Sequence, residues 1–199
     1  MRIGYFVQGS ADEAFVWGLI QRYCPEASVE RGKFRGQSRE SLRRELPKAL
    51  RDLQKNKRCD YLIVLNDADK RQWRDVWTED WHRVPEHLKH LTVFGVADRN
   101  IEHWIALDRA YLAKELECDE SAIPKDDPTG FTKHHFKRKA QLLDGEEAQK
   151  RLRDFVAEAP IHTWLRNSPS FNHFWDSLFQ FSKRVACANP IPNERNRPH

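Results

Sequence analysis

The run DYLIVL, Asp60 to Leu65, most restricts what this chain can fold into. It is continuously apolar from Tyr61 to Leu65 and stops abruptly at Asn66-Asp67-Ala68-Asp69. A short apolar run without alternation is the pattern of a strand covered on both faces. Such strands belong to parallel sheets with helices on either side.

The flanking segments supply the rest of that sheet. Residues 2–7 (RIGYFV) form a short apolar run ended by Gly9 and read as a first strand. Over 11–23, Ala14, Phe15, Leu19 and Ile20 fall near one helical face, with Gly18 as a weak point. Residues 27–34 read as a second strand, Gly36 breaks the chain, and Ser38 is placed to cap the next helix. In that helix Leu42, Leu46, Ala49, Leu50 and Leu53 recur three and four apart. Arg43, Arg44, Lys48, Arg51 and Lys55 take the remaining surface, so it is predicted to bury one side and show a basic one. A Trp-rich helical stretch over 70–90 is interrupted near Pro85, and 91–96 (LTVFGV) is a fourth strand. A helix over 101–116 follows, with Ile101, Trp104, Ile105 and Leu112 inward. This alternation predicts an α/β fold, a parallel four-stranded sheet flanked by helices.

After Pro124 the alternation stops. Residues 131–143, 145–158 and 169–186 read as helices. In the last, Phe171, Phe174, Trp175, Leu178 and Phe179 make one stripe, read as core rather than as an aromatic cofactor box. The expected organisation is an α/β core over 1–118, a C-terminal helical extension packed on it over 119–188, and a frayed tail over 189–199.

With 199 residues, seven Trp and eleven Phe, the chain has material for one packed domain despite 32% charged residues. No apolar run approaches the roughly 20 residues that span a membrane. The opening MRIGYFVQGS carries too short an apolar run for a signal peptide. Cys24, Cys59, Cys118 and Cys187 are scattered without a CxxC pair, which argues against a zinc ribbon or thioredoxin motif. Reduced thiols in a cytoplasmic protein are the expectation. There is no GxxxxGK[ST], so the chain is not expected to hydrolyse ATP itself.

The net charge of +4 is unevenly spread. From Arg31 to Arg58 there are eleven Lys/Arg against three acids, and a second basic cluster spans Lys133 to Lys139. Such clusters suit a polyanion such as nucleic acid; the competing reading is a solvated helix face. Arg43, Arg44, Lys48, Arg51, Lys133 and Lys137 are the candidate backbone contacts, with His134 and His135 as weaker phosphate-positioning candidates. His82, His87 and His90 read as surface.

Ligands of parallel α/β sheets bind beyond the carboxyl ends of the strands. Asp67 and Asp69 lie there, and two carboxylates two residues apart in a turn can reach one hard cation such as Mg²⁺ or Mn²⁺. Without a cation their repulsion is costly. The competing reading is that one of them caps the following helix. The first strand end adds Gln8, Gly9, Asp12 and Glu13, and the fourth adds Asp98, Arg99, Asn100 and Glu102. A negative cup within a basic surface is the arrangement phosphodiester chemistry needs.

The order VQGSADEAFV, LIVLNDADK, VADRNIEHWIALD resembles the Toprim domain of primases, topoisomerases and OLD-type nucleases. The chain is also similar to a small bacterial Toprim-like family often encoded beside ATPase genes. The shared segments are Ile101-Glu102-x-Trp104, the lysine-containing FTKHHFK, and SPSFxxF at Ser168 to Phe174 with Leu178. The resemblance implies a Toprim-like sheet with metal at Asp67 and Asp69 and an acid of the first loop, Asp12 or Glu13, beside them. Glu102 would be an acidic partner or anchor. It further implies a nuclease in genome defence, a toxin system or a mobile element, with an ATPase partner. Pairing with a second copy stays open. The departure is Gln8, where the family pattern has glutamate; an amide cannot act as a general base. A catalytically degraded binding module is therefore the alternative. A phosphoacceptor domain needs a lysine after a late strand, where this chain has Ala97-Asp98-Arg99.

Overall fold

A computed structural model describes residues 1–34, 38–140 and 145–184, the side chains at 133, 136–140, 145 and 184 excepted. β1 (Arg2–Val7) lies between β2 (Ser28–Arg31) and β3 (Tyr61–Asp67), and β4 (Thr92–Ala97) pairs with β3. The order is β2-β1-β3-β4 and every pairing is parallel. The expected α/β class therefore stands.

The lack of alternation in DYLIVL has its cause in two cores. Ile63 and Leu65 enter one hydrophobic cluster, and Leu62 and Val64 enter the other. The first face is covered by α1 (Ser10–Tyr23) and α9 (Pro169–Arg184), the second by α2 (Arg39–Lys55) and α3 (Trp73–Trp81). All five leucine and alanine positions expected inside α2 are buried, and Ser38 caps it by accepting from the Ser41 amide at 3.2 Å. A 3₁₀ turn over Glu86–Leu91 follows α3. The indole of Trp77 donates to the Phe94 carbonyl at 3.2 Å, so α3 also satisfies a backbone group of the edge strand β4.

The helix expected over 101–116 is two, α4 (Ile101–Ile105) and α5 (Arg109–Leu116). Asp108 restarts the second by accepting from the Tyr111 amide at 2.9 Å. α6 (Thr129–Ala140) and α7 (Gly145–Glu158) follow. A further helix not anticipated, α8 (Ile161–Asn167), fits between Pro160 and Pro169. The late helices share the core of the first face. Phe155, Trp164, Phe171 and Phe174 cluster with Phe15 and Trp104. Phe181 is buried in α9, whereas Phe179 lies half-buried at the margin of the expected stripe.

Two glycines explain how these layers approach. A Cβ at Gly18 would stand 2.5 Å from the Arg153 carbonyl oxygen, so only glycine lets α7 lie this close to α1. A Cβ at Gly95 would stand 2.5 Å from Phe174, so β4 needs glycine where α9 crosses it. Cys24 is disulfide-bonded while Cys59 and Cys118 are free, so uniformly reduced thiols do not hold at Cys24. The tail at 189–199 lies outside the described residues.

Candidate strand-end site

The chain leaves β1 toward β2 on one side, then recrosses to β3 and β4 on the other. The strand order thus reverses between β1 and β3, and their carboxyl ends flank the crevice in which such sheets bind ligands. Val7 pairs with Leu65 there, which brings Gln8 beside Asn66, and Asp67 pairs with Ala97.

Alternation along β3 puts Asp67 on the face of Ile63 and Leu65, and its Oδ1 is buried. Asn66 points to the opposite face, where its amide donates to Asp80 at 2.8 Å. Asp69 is exposed and sits in left-handed backbone at φ 54°. Its turn is closed by the Arg71 amide donating to the Ala68 carbonyl at 3.0 Å. The turn is tied to the end of β4 by Ala68 N to Ala97 O at 2.9 Å and Asp69 N to Arg99 O at 2.8 Å. α3 begins only at Trp73, with Gln72 in the capping position. Neither aspartate is therefore a helix cap, and that competing reading falls away.

The first loop behaves differently from expectation. Asp12 is buried and its Oδ2 accepts from the Gly9 amide at 2.8 Å, closing the first turn of α1. Glu13 pairs with Arg31 of β2 at 2.6 Å and accepts from the Tyr5 hydroxyl. Burial, reinforced by the Glu13 carboxylate, pushes the Tyr5 phenol well above its ordinary range. Glu13 thus stitches β1 to β2. Gln8 is half-buried, and Glu102 is buried in the first turn of α4. Among the described residues no three His, Cys, Asp or Glu side chains gather as a ready-made metal cage. Any cation at Asp67 and Asp69 would have to draw its remaining ligands from outside these side chains.

The basic face of α2 divides in two. Arg43 Nε is 2.6 Å from Asp80 Oδ1, a carboxylate with no exposure, and Arg43 Nη2 is 3.1 Å from Glu79. Arg39 lies 3.6 Å from both acids, and Arg71 grips Glu79 at 2.8 and 2.5 Å. Hydrogen bonding from Arg71 holds the Glu79 carboxyl at about 2, well below its ordinary value. Arg43 is thus part of a bridge between α2 and α3. Arg44, Lys48 and Arg51 are exposed and carry no ion pair among the described residues. The side chains of Lys133 and Lys137 lie outside the described residues. His134 is exposed, whereas His135 stacks on Phe131 at 3.8 Å and bonds its carbonyl. His82, His87 and His90 are exposed.

Two features near the strand ends escaped the sequence reading. Buried Ser170 accepts from the Trp104 indole at 2.8 Å and from the Asp98 amide at 3.2 Å. His103 lines a cleft beside Asp98 and Arg99. Its one sequence signal is Asn100, a capping residue three positions earlier. Comparison with family models, curated proteins and solved structures gives no match. No helix among the described residues is long and apolar enough to cross a membrane.

Proposed function

We propose that this chain is a divalent-metal-dependent phosphodiesterase acting on nucleic acid, with Asp67 and Asp69 holding Mg²⁺ or Mn²⁺. The observation that carries this reading is the place of Asp67. It stands at the point where the strand order reverses, with Asp69 two residues on in a turn that caps no helix. A bound cation supplies charge neutralisation at the phosphate and acidifies a water. The chain's own part is to hold two carboxylates on a turn fixed to β4. Exposed Arg44, Lys48 and Arg51 are the candidate contacts for the nucleic-acid backbone. The Toprim resemblance supports the reaction class and is the only support for an ATPase partner.

The second reading, a binding module without turnover, is favoured by the first loop. Gln8 is neutral, Asp12 bonds the Gly9 amide, and Glu13 is ion-paired to Arg31. The test is cleavage of DNA and RNA with Mn²⁺ or Mg²⁺ by wild type, Asp67→Asn and Asp69→Asn. Cleavage abolished in both variants supports the enzyme. Equal absence of cleavage in all three sinks it, and a gain in Gln8→Glu then supports the degraded site.

A further inference from the structure

We propose that the cleft between α4 and the 124–128 segment binds the phosphate and sugar of a single nucleotide. Its volume is about 230 Å³. That is below the ~300–1,000 Å³ of pockets that enclose a whole small-molecule ligand, so the cleft suits one part of a ligand, a phosphate with its sugar, and leaves the base outside.

The walls are built by two arginines. Arg109 donates to the carbonyls of Glu120, Ile123 and Pro124 at 2.9, 2.6 and 3.2 Å. Arg99 Nη1 donates to the Asp126 carbonyl at 3.2 Å. These bonds fix the segment that carries Lys125. Lys125, Asn167 and the Asp98 carboxylate all line the cleft, and none of the three side chains bonds a protein group among the described residues. Leu107, Pro124 and Pro128 give an apolar side. Of the lining groups three are cations and one is a carboxylate; Arg109 also lies 3.8 Å from Glu120, so the attraction for an anion rests on Lys125, whose donors are uncommitted.

The imidazole of His103 adds direction. Asn100 Nδ2 donates to Thr129 Oγ1 at 3.1 Å, which turns the Asn100 amide oxygen toward the ring. His103 Nδ1 lies 2.9 Å from that oxygen and so carries the proton. Nε2 is the ring's acceptor and carries only a long, 3.5 Å contact from Arg99 Nη1, which a ligand hydroxyl would replace. Arg99, Asp127, Asp98 and Glu102 are the charged groups that act on the ring. Burial, then Arg99, lowers its pKa, which favours the neutral ring. A neutral acceptor in the same cleft as the uncommitted Lys125 ammonium suits a hydroxyl carried near a phosphate. That is the chemistry of a sugar phosphate, which adds a sugar hydroxyl to the contacts that inorganic phosphate can make. Asn167 and Asp98 are placed for further hydroxyls.

The identity of the ligand as a piece of nucleic acid rests on the phosphodiester reading, but the site is tested without metal or turnover. The wild-type chain in EDTA is titrated with adenosine 5′-monophosphate, inorganic phosphate and adenosine, following the His103 ring resonances and the heat of binding. The nucleotide is expected to bind most tightly and to shift the His103 signals. Lys125→Ala and His103→Asn should each weaken it roughly fivefold or more. No nucleotide binding, or binding indifferent to both variants, overturns the proposal. Phosphate binding as tightly as the nucleotide overturns the sugar contact. Loss of cleavage in Asp67→Asn with nucleotide binding intact keeps the two sites distinct, and nucleotide binding without any cleavage defeats only the enzyme reading.

Discussion

The Asp69 amide donates to the Arg99 carbonyl at 2.8 Å, and both residues hold left-handed backbone, at φ 54° and 62°. Two strand-end loops are thereby joined at conformations that L-residues seldom adopt. Such positions cluster at functional sites. Asn accepts this conformation about as readily as Asp, whereas Ala does not. Asp69→Asn should therefore leave stability within about 0.5 kcal/mol of wild type, and Asp69→Ala should cost about 1 kcal/mol. Urea denaturation of both variants checks this, and it makes Asp69→Asn the cleaner probe of the carboxylate's role.

Ser170 is the seam between the β4 end, α4 and α9. Ser170→Ala removes the acceptor for the buried Trp104 indole and the Asp98 amide. A loss of about 1–3 kcal/mol is expected by urea denaturation. Gly95→Ala, pressed against Phe174, should cost about as much through overpacking. Unchanged midpoints in both would show that α9 does not seat on β4 as described.

The bridge between α2 and α3 separates two arginines adjacent in sequence. Asp80→Ala removes the nearest partner of Arg43 and leaves it Glu79, and Arg43→Glu takes the nearest cation from buried Asp80 and leaves it Arg39 at 3.6 Å. Each should destabilise by about 1.5–3 kcal/mol. Charge reversal at Arg44, Lys48 and Arg51 should leave the melting temperature nearly unchanged. It should weaken nucleic-acid binding and flatten its salt dependence by roughly 0.9 in log–log slope for each phosphate no longer neutralised. A slope identical to wild type would mean that this face is only solvated.

Glu79 gives the bridge a pH dependence of known sign. Its folded pKa of about 2 lies below the ordinary 4.5. Its stabilisation is therefore complete above about 4.5 and lost as pH falls toward 2. Melting temperatures measured across that window should fall for wild type and fall less for Glu79→Gln. Parallel curves would assign the acid sensitivity elsewhere.

Much of this fold was legible because burial on both faces leaves a plain trace in DYLIVL, and because α2 writes its buried side at helical spacing. The site was legible only in part. Asp67 and Asp69 announce themselves by following an apolar strand. The capping role of Asp12 depends on the backbone of Gly9, and the pairing of Glu13 depends on Arg31, eighteen positions on in a neighbouring strand. Arg43 and Arg44 look alike in sequence, and only the position of α3 decides that one meets Asp80. Ser168 to Phe174 is a recognisable segment, yet its work is revealed by partners at Gly95, Asp98 and Trp104, far away along the chain. His103 has little sequence signature because its cleft is assembled from three separate stretches, 98–109, 124–128 and 167–168.

The central claim is that Asp67 and Asp69 together hold a divalent cation. It is tested most directly by titrating Mn²⁺ into wild type, Asp67→Asn and Asp69→Asn by calorimetry, after confirming that all three are equally folded. The expected result is one Mn²⁺ bound by wild type and binding weakened at least about tenfold in each variant, roughly the worth of one charged ligand. Equal Mn²⁺ affinity in the three proteins would contradict it.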